Sequence, residues 1–312
     1  MKATQLKIGD VTLNSNILQA PLAGYTDYIY RENCIKYGAG LCYTEMVSAK
    51  GLFYNSERTK ELLYVTDKEH VKATQIFGED ADIMRAVCEG EYLKDFDIID
   101  INMGCPVPKL FKNGEGAALM QDIRKAEKIV SECVKSGRRI TVKTRIGLTK
   151  DKYTAVDMAK AVENAGALAI TIHGRVRDDY YSGEPDYNAI YNVKRAVSIP
   201  VIANGGIFDK ATCDKLYNET GADGVMIARG SIGRPWIFAE VQGQEVSYNL
   251  KQTIFEHIDG LTKLYDDDMV AKSFRKFLPH YLKGIPCKEA RAQLMQIDNT
   301  CDVKKVIDSI LP

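Results

Sequence analysis

Short apolar segments alternate along this chain with longer segments whose apolar residues recur at helical spacing. The apolar segments that predict strands are Ile17–Ala20, Leu41–Tyr43, Lys72–Ile76, Ile98–Asn102, Ile140–Arg145, Leu168–His173, Val201–Asn204 and Gly224–Ala228. Helical spacing between them includes Ala81–Tyr92, Ile123–Ser136, Tyr153–Ala165 and Ala211–Thr220. Strands that alternate with helices in this way indicate parallel β/α units.

Eight strand–helix units within roughly 240 residues predict an α/β fold of the (β/α)8 type, a TIM barrel. A doubly wound parallel sheet is the alternative fold class. It is disfavoured because no Gly-x-Gly-x-x-Gly motif follows the first predicted strand, Ile17–Ala20.

The pattern changes after Trp236, beyond which no convincing strand is predicted. Helical spacing predicts helices over Leu250–Tyr265, Met269–Lys283 and Lys288–Gln296. We therefore predict two domains, a barrel over 1–243 and a small all-α domain over 244–312. Residues 269–312 hold eight Lys or Arg against four Asp or Glu. This excess predicts a basic surface, and an ordinary solvated helix face is the alternative.

Composition and charge narrow the function classes. The 312-residue chain has 42 Lys and Arg against 42 Asp and Glu, so any nucleic-acid surface must come from local clusters. Residues 1–6 lack an apolar signal core, and no apolar run approaches the ~18 residues of a membrane helix. The eight cysteines form no Cys-x-x-Cys pair, and the four histidines lack metal-ligand spacing. We expect a cytoplasmic protein with reduced thiols, no membrane contact and no metal.

Cys105 lies between Gly104 and Pro106, just after the predicted strand that ends at Asn102. Because Pro106 fixes its own φ and restricts the residue before it, the thiol is predicted on a short, stiff, exposed turn. Such a position suits a proton donor or a nucleophile, whereas a semi-buried inert thiol is the structural alternative.

Other polar residues fall where the predicted strands end, which is where barrels of this type place catalytic groups. These residues are Gln75, Asn102, Lys143, Arg145, His173, Arg175, Arg177, Asn204 and Arg229. Each alone has a structural alternative, since a single Lys or His at a strand end is commonly an ion-paired or capping group. Together they indicate one pocket at the carboxyl ends of the strands.

Turns of small residues or glycine follow the first, seventh and eighth strands: Pro21-Leu22-Ala23, Asn204-Gly205-Gly206 and Ala228-Arg229-Gly230. Backbone N–H groups in the last two turns suit a phosphate, and a simple turn at Gly205-Gly206 is the alternative. A phosphate site there, Lys143 on the fifth strand and a small-residue first turn predict a pocket for FMN. Lys143 would lie near the N1–O2 edge of the flavin, and Gln75 would bond its polar edge.

Several segments together resemble the tRNA-dihydrouridine synthases, specifically their B-type bacterial branch. They are Ala20–Asp27, Thr44–Ala49, Asp100–Pro106, Thr141–Gly147, His173–Arg175, Gly224–Gly230 and Gly233–Trp236, and the tail Arg275–Gly284 resembles the helical RNA-binding domain of the family. Two positions depart from the family pattern. Leu22 stands where Met is usual, and Gly206 stands where Asp often follows the turn glycine, which leaves a ribityl or phosphate contact open.

The resemblance implies FMN-dependent reduction of the C5–C6 bond of a D-loop uridine in tRNA, with NADPH as reductant and NADH as an open alternative. Hydride would pass from N5 of reduced FMN to C6, and Cys105 would give the proton to C5. A nucleophilic role for Cys105 is disfavoured because the reduction needs no covalent step. The resemblance also implies that Asn102 and Arg145 contact uracil, with Lys143 shared with the flavin and His173 near both.

A uridine in folded RNA has to be extruded to enter such a pocket. Basic residues are predicted on loops at the pocket rim, where they would meet flanking phosphates: Lys109, Lys112, Arg175 and Arg177. The helical domain would then hold the tRNA body by shape and phosphate contacts. No obligate protein partner is indicated.

Two rival functions are weighed against this one. The first is an FMN barrel that acts on a free pyrimidine or another activated alkene, and the helical tail and arginine-bearing rim disfavour it. The second is a non-catalytic RNA-binding protein on a relic barrel, which the complete set of pocket residues disfavours.

Overall fold

Parallel strands form the centre of the molecule in a computed structural model that describes residues 1–311. The strands are β1 (Leu6–Ile8), β2 (Val11–Leu13), β3 (Ile17–Gln19), β4 (Tyr43–Ser48), β5 (Ala73–Phe77), β6 (Ile98–Met103), β7 (Ile140–Thr149), β8 (Lys152–Tyr153), β9 (Ile170–Val176), β10 (Val201–Asn204) and β11 (Gly224–Ile227). The main sheet has the order β3, β11, β10, β9, β7, β6, β5, β4, and β8 pairs antiparallel with β7.

The sheet closes between β3 and β4 through few contacts. Leu18 forms an isolated parallel bridge with Leu41, and the Gln19 N–H donates to the Leu41 carbonyl at 2.8 Å. The Gln19 side-chain oxygen accepts the Tyr43 N–H at 3.1 Å, where a strand ladder would otherwise supply the acceptor. The predicted (β/α)8 barrel is therefore confirmed.

Helices surround the barrel: α1 (Tyr28–Lys36), α2 (Ala49–Phe53), α3 (Glu57–Lys60), α4 (Ala81–Glu89), α5 (Pro108–Lys112), α6 (Ile123–Lys135), α7 (Ala155–Asn164), α8 (Tyr187–Ala196), α9 (Lys210–Thr220) and α10 (Ile237–Glu240). Asp80, Asp122, Asp186 and Asp209 cap the N-termini of α4, α6, α8 and α9 by accepting backbone N–H groups. The apolar faces of these helices pack against the outer face of the strands in one continuous core.

The second barrel strand differs from the sequence prediction. Leu41–Tyr43 is predicted as the strand, whereas β4 begins at Tyr43 and continues to Ser48. Thr44 and Glu45 interrupt the apolar run there, and polar residues at the carboxyl end of a barrel strand do not look like a buried strand in sequence.

The helix predicted over Tyr153–Ala165 begins later, at Ala155, because Tyr153 belongs to β8.

The N-terminal hairpin of β1 and β2 is an element that the apolar pattern does not predict. Its strands have three residues each, too few for a clear alternation. Leu6, Ile8 and Leu13 are buried in one cluster with inward-facing barrel residues such as Ala73 and Ile98. The hairpin therefore closes the amino-terminal end of the barrel and leaves the opposite end for a site.

The C-terminal region is helical, as predicted from Leu250 onward. Its helices are α11 (Leu250–Leu261), α12 (Asp267–Phe274), α13 (Leu278–Tyr281), α14 (Lys288–Leu294) and α15 (Thr300–Ile310). The single helix predicted over Met269–Lys283 is interrupted, and Pro279 lies in the first turn of its second part, α13. The final helix, α15, is not predicted, although Asn299 caps it by accepting the Asp302 N–H.

No helix within 1–311 is long and apolar enough to cross a membrane.

Buried polar and aromatic contacts join the helical region to the barrel. The Asp27 carboxylate caps α1 and lies 3.1 Å from His257 Nε2 on α11. Nδ1 of the same imidazole lies 2.9 Å from the Tyr281 hydroxyl. Tyr25 of the loop after β3 packs edge-to-face on Phe277, with ring centroids 5.3 Å apart. These contacts hold the helical region beside the carboxyl ends of the barrel strands.

A buried ion pair fixes the loop after β3 and the start of α1. Arg31 donates to both carboxylate oxygens of Glu69 at 2.7 and 2.8 Å, and also to the carbonyls of Thr26 and Tyr64. Arg31 and Glu69 are 1% and 2% exposed. Burying such a pair is tolerated because each guanidinium nitrogen donates to at least one oxygen and the charge has a carboxylate partner.

We expect Glu69→Gln to destabilise the protein by about 3–5 kcal/mol, because it leaves the Arg31 guanidinium buried without its counter-charge. Urea unfolding followed by circular dichroism measures the change. The adjacent Lys68→Met is the matched control: Lys68 pairs with Glu32 at the surface, so the expected change is within about 0.5 kcal/mol. Equal stabilities of the two variants would contradict the role given to the buried pair.

Candidate active site

A cavity of about 460 Å³ lies at the carboxyl ends of the barrel strands. Most of the residues that the sequence singles out line it: Pro21, Leu22, Ala23, Gln75, Asn102, Cys105, Lys143, Arg145, His173, Arg175, Asn204, Gly205, Gly206, Ala228, Arg229 and Gly230. Lys109 and Arg177 do not line it. The volume is within the range of small-molecule and cofactor sites.

The register of the parallel strands places these side chains at the same height, near the carboxyl ends of the strands. Asn102 on β6 pairs with Lys143 on β7, and Arg145 two residues further pairs with His173 on β9. His173 in turn pairs with Asn204 on β10. Since side chains two residues apart share a strand face, Lys143 and Arg145 both face the cavity that they line.

Asn102 holds the turn that carries Cys105. Its side-chain oxygen accepts the N–H groups of Gly104 at 3.1 Å and Cys105 at 2.9 Å. The Cys105 carbonyl accepts the Ala117 N–H at 3.0 Å. Burial raises the pKa of the Cys105 thiol, while the nearby charges of Arg145 and Lys143 oppose that rise. The thiol is therefore protonated at neutral pH and suited to give a proton rather than to attack.

A buried carboxylate lies behind Asn102 and was not singled out from the sequence. Asp100 accepts the Gln75 amide at 2.7 Å and the Thr141 hydroxyl at 2.6 Å. The Gln75 side-chain oxygen accepts the Asn102 amide at 2.7 Å. Burial raises the pKa of Asp100 to about 6, against the opposing effects of its two hydrogen bonds and of Lys143. Its position inside an apolar strand made it look like a strand residue rather than a site residue.

Lys143 projects into the cavity and donates to the Asn204 side-chain oxygen at 3.2 Å. The Asn204 amide donates to the Met226 carbonyl at 2.8 Å, which fixes the orientation of that acceptor. Burial and the neighbouring Arg145 charge lower the pKa of Lys143 to about 8. The ammonium is thus mostly charged at neutral pH but is weakly solvated, so that an anionic ligand atom would interact with it strongly.

His173 is neutral in this environment. Burial lowers its pKa well below the usual value, and the charges of Lys143, Arg145, Arg175 and Arg229 lower it further. His173 Nε2 lies 3.2 Å from Nη1 of Arg175. Because a guanidinium only donates, Nε2 must be the acceptor and the proton is on Nδ1. The neutral ring is therefore a hydrogen-bond donor through Nδ1.

Three arginines hold the loop 177–184 over the cavity by its backbone carbonyls. Arg145 donates to the Tyr180 carbonyl at 2.8 Å, in addition to those of Gly104 and Val176. Arg175 donates to the carbonyls of Ser182 and Gly183, and Arg229 donates to that of Tyr181. Burial lowers the pKa of Arg145 to about 10, so the group stays charged at neutral pH.

The glycine turns after β10 and β11 are conformationally required. Gly205 and Gly206 have φ of +135° and +74°, a region that disfavours other residues. A Cβ at Gly230 would lie 2.2 Å from the Ile207 carbonyl oxygen. All three glycines line the cavity, so that backbone borders it at both turns, which suits a phosphate bound by N–H groups.

The structure places the predicted rim arginines and lysine in different settings. Arg175 is in strand β9 and only 5% exposed, rather than on an exposed loop. Arg177 pairs with Asp178 at 3.0 Å and lies over the Phe111 ring, 4.0 Å from its centroid. Lys109 is exposed on α5, beside the Cys105 turn. Phosphate contacts from these residues stay a prediction.

Several cavity residues were not found from the sequence: Tyr25, Met46, Tyr181, Phe208, Met226 and His280. Met46 and Met226 resemble ordinary core residues in a strand pattern. Tyr181 and Phe208 are 48% and 43% exposed, and aromatic residues within polar, glycine-containing loops are a signal that could have identified them. His280 comes from the helical region, so its position depends on domain packing.

Ion pairs neutralise much of the predicted basic surface of the helical region. Lys272 pairs with Asp268, Arg275 with Asp298, Lys304 with Asp259 and Lys305 with Asp302. Lys276, by contrast, forms no ion pair within the described 311 residues. Its ammonium lies 5.9 Å from the ring centroid of Tyr25, which lines the cavity. Lys276 thus places a basic charge outside these ion pairs beside an aromatic ring that lines the cavity.

Known proteins resemble this chain in both sequence and fold. A family model described as Dihydrouridine synthase (Dus) matches residues 18–311. "tRNA-dihydrouridine synthase B" of Pseudomonas syringae pv. tomato is 35% identical over 307 residues, covering 95% of this chain and 91% of that protein. The Pasteurella multocida protein of the same name is 37% identical over 290 residues, covering 90% and 87%. The chain belongs to the dihydrouridine synthase family.

Solved structures of low sequence identity share the barrel. Histamine dehydrogenase from Rhizobium sp. 4-9 superposes with a TM-score of 0.59 at 12% identity, covering 82% of this chain and 50% of that one. 2-Naphthoyl-CoA reductase superposes with a TM-score of 0.60 at 10% identity, covering 78% and 52%. These likenesses agree with the barrel assignment.

We expect Lys143→Met to raise the pKa of Cys105, because it removes a positive charge that stabilises the thiolate. The pH dependence of Cys105 alkylation by iodoacetamide, followed by peptide mass spectrometry, should shift to higher pH. Lys109→Met, which removes an exposed charge from the next helix, should leave the profile in place. A shift to lower pH in the Lys143 variant would contradict the electrostatic account.

Proposed function

We propose that this protein reduces the C5–C6 bond of a uridine in tRNA to give dihydrouridine, with FMN as cofactor and NADPH as reductant. One observation carries the proposal beyond family membership. The Cys105 thiol, the Lys143 ammonium and the Gly205-Gly206 turn line one cavity. A flavin-dependent reduction of uracil needs a proton donor for the base, a cation for the developing negative charge, and a backbone turn that can bind the phosphate of the flavin.

The residues present fit FMN. The turns at Gly205-Gly206 and Gly230 bring backbone to the cavity without side chains, which supports a phosphate there. Pro21, Leu22 and Ala23 follow β3, which pairs with β11, and line the cavity beside the Gly230 turn with small and apolar side chains that suit a flat ring. We assign cofactor contacts to these residues and to Gln75, Lys143, His173, Asn204, Ala228 and Arg229.

Bound FMN, reduced by NADPH, would supply a hydride for uracil C6. The protein then has to supply a proton at C5, and we assign this proton to Cys105. Burial favours the thiol form of Cys105, and its turn is held on both sides by Asn102 and Ala117. The neutral acid is thus kept in one place until it is needed.

Negative charge develops on the uracil oxygens as the hydride is transferred. We assign its stabilisation to Lys143, Arg145 and Asn102, which line the cavity as donors. Preorganised donors of this kind are worth about 3 kcal/mol each in a transition state. His173, neutral and donating through Nδ1, adds a donor without a further charge.

A base in folded tRNA must be extruded to reach this cavity. The exposed rings of Tyr181 and Phe208 border the cavity mouth, where unstacked nucleotides would need a surface. Lys109 and Arg177 are assigned to flanking phosphates. We assign residues 1–243 to catalysis and the helical region 244–312 to the tRNA body, which it would contact by shape and phosphate.

The function is tested by nucleoside mass spectrometry of unmodified tRNA incubated with the protein, FMN and NADPH. A gain of two hydrogens on uridine is expected. A protein that binds FMN and oxidises NADPH but leaves tRNA unchanged, while reducing a free pyrimidine or alkene, would replace the proposal with a small-molecule reductase. A protein that binds tRNA but no FMN would exclude catalysis of this kind.

Cys105→Ala is expected to retain FMN and NADPH oxidation but to lose dihydrouridine formation by about 100-fold or more, because it removes the proton donor. Stopped-flow absorbance of the flavin and nucleoside mass spectrometry measure the two steps. Cys301→Ala, which removes an exposed thiol on α15, is the control and should behave as wild type. Wild-type dihydrouridine formation by the Cys105 variant would contradict the assignment.

Lys276→Met is expected to lower the salt dependence of tRNA binding by about one unit of slope, as for loss of one phosphate contact. Fluorescence anisotropy at several salt concentrations measures this slope. Lys272→Met, one turn earlier and already paired with Asp268, should change it less. Identical slopes for both variants would contradict a specific role of Lys276 at the cavity mouth.

A further inference from the structure

The hydrogen bonds behind Cys105 form a chain with a defined direction. At one end, the Asp100 carboxylate accepts from the Gln75 amide at 2.7 Å and from Thr141 at 2.6 Å. Gln75 accepts from the Asn102 amide at 2.7 Å. At the other end, the Asn102 oxygen accepts the N–H groups of Gly104 and Cys105.

Each end of this chain of hydrogen bonds is a group that can only accept or only donate. An ionised carboxylate only accepts, so the Gln75 face toward Asp100 must be its NH₂ group. A backbone N–H only donates, so the Asn102 face toward the Cys105 turn must be its oxygen. The contact between the two amides, NH₂ of Asn102 to oxygen of Gln75, is the one arrangement that satisfies both ends.

The direction of the chain also decides what the cavity offers to a ligand. Gln75 and Asn102 both line the cavity. Each NH₂ group has two hydrogens and uses one within the chain, apart from a weak contact of Asn102 to the Met46 sulfur at 3.6 Å. Neither second hydrogen has an oxygen acceptor among residues 1–311, so each amide can donate to a carbonyl-type acceptor of a ligand, such as a flavin or a uracil.

We propose that Asp100 is a positioning residue for the reaction: through Gln75 and Asn102 it orients both amides as donors to the ligand and holds the Cys105 turn. The inference rests on the proposed function for the reaction itself, but the orientation of the Cys105 turn is a property of the protein alone. Asp100 touches neither cofactor nor substrate in this role.

Asp100→Leu, similar in size, removes the acceptor that orients Gln75. We expect alkylation of Cys105 by iodoacetamide to become about tenfold faster relative to that of Cys301, the exposed internal reference, because the turn is less restrained. Dihydrouridine formation should fall about 100-fold, since the proton donor is displaced. Asp100→Asn should rescue both readouts, because its oxygen still accepts from Gln75 while Thr141 reverses its hydroxyl to accept the new amide. An unchanged Cys105-to-Cys301 ratio in folded Asp100→Leu would overturn the proposal.

A second pair of variants preserves side-chain volume and guards against misfolding. Asn102→Asp places a carboxylate at each end of the Gln75 amide, so the hydrogen-bond chain loses a consistent direction. Because the new negative charge also raises the pKa of the Cys105 thiol, the Cys105-to-Cys301 ratio is compared at the high-pH plateau of alkylation, where it should rise. Adding Asp100→Asn leaves a carboxylate only at position 102. The new amide at position 100 then donates to the Gln75 oxygen, and the Gln75 amide donates to the new carboxylate, which still accepts from the turn. The alkylation ratio should return toward wild type in the double variant. A double variant no better than Asn102→Asp alone would also overturn the proposal.

Alkylation is measured without tRNA, which separates this inference from the proposed function. Failure of wild-type protein to modify tRNA would remove the proposed reaction while the alkylation ratios still test the positioning of Cys105. Normal tRNA reduction by wild type together with wild-type ratios and rates in Asp100→Leu would remove the inference and keep the function.

Discussion

Parallel strand register is the constraint on which the other features of this structure rest. Closure of the barrel through Leu18 and Leu41 fixes the level of every strand relative to its neighbours. Asn102, Lys143 and His173, far apart in the chain, are brought to one end through consecutive strand pairings. The hairpin β1–β2 fills the amino-terminal end of the barrel with apolar side chains, whereas the carboxyl ends of the strands border a cavity.

The cavity gathers like charges, and their burial is offset by fixed acceptors. Lys143 donates to the Asn204 side chain, whereas Arg145 and Arg175 donate to backbone carbonyls, among them those of Tyr180, Ser182 and Gly183. Asp100 adds one buried negative charge behind them. Because these acceptors are in place before a ligand binds, the cations keep their positions and the neutral His173 stays neutral. The same donors that stabilise the loop also define what a ligand meets.

The helical region contributes to the cavity as well as to the surface around it. His280 lines the cavity and Lys276 lies near Tyr25 at its mouth. The buried contact of His257 with Asp27 ties this region to the loop after β3. Under the proposed function, a tRNA body bound by the helices would contact the same loop that borders the cavity, and its binding would be coupled to the placement of one base.

The barrel, the helical tail and most cavity residues could be predicted from the sequence alone, because apolar periodicity and the polar ends of buried strands are local signals. Cys105, Lys143 and the glycine turns were correctly placed at the cavity in this way. Local signals could not identify β4 beyond Tyr43, the hairpin β1–β2, Asp100 or His280, nor that Arg175 is buried. Those features were decided by tertiary structure, since strand closure, the packing of one domain on another and the direction of a hydrogen-bond chain depend on residues that only folding brings together.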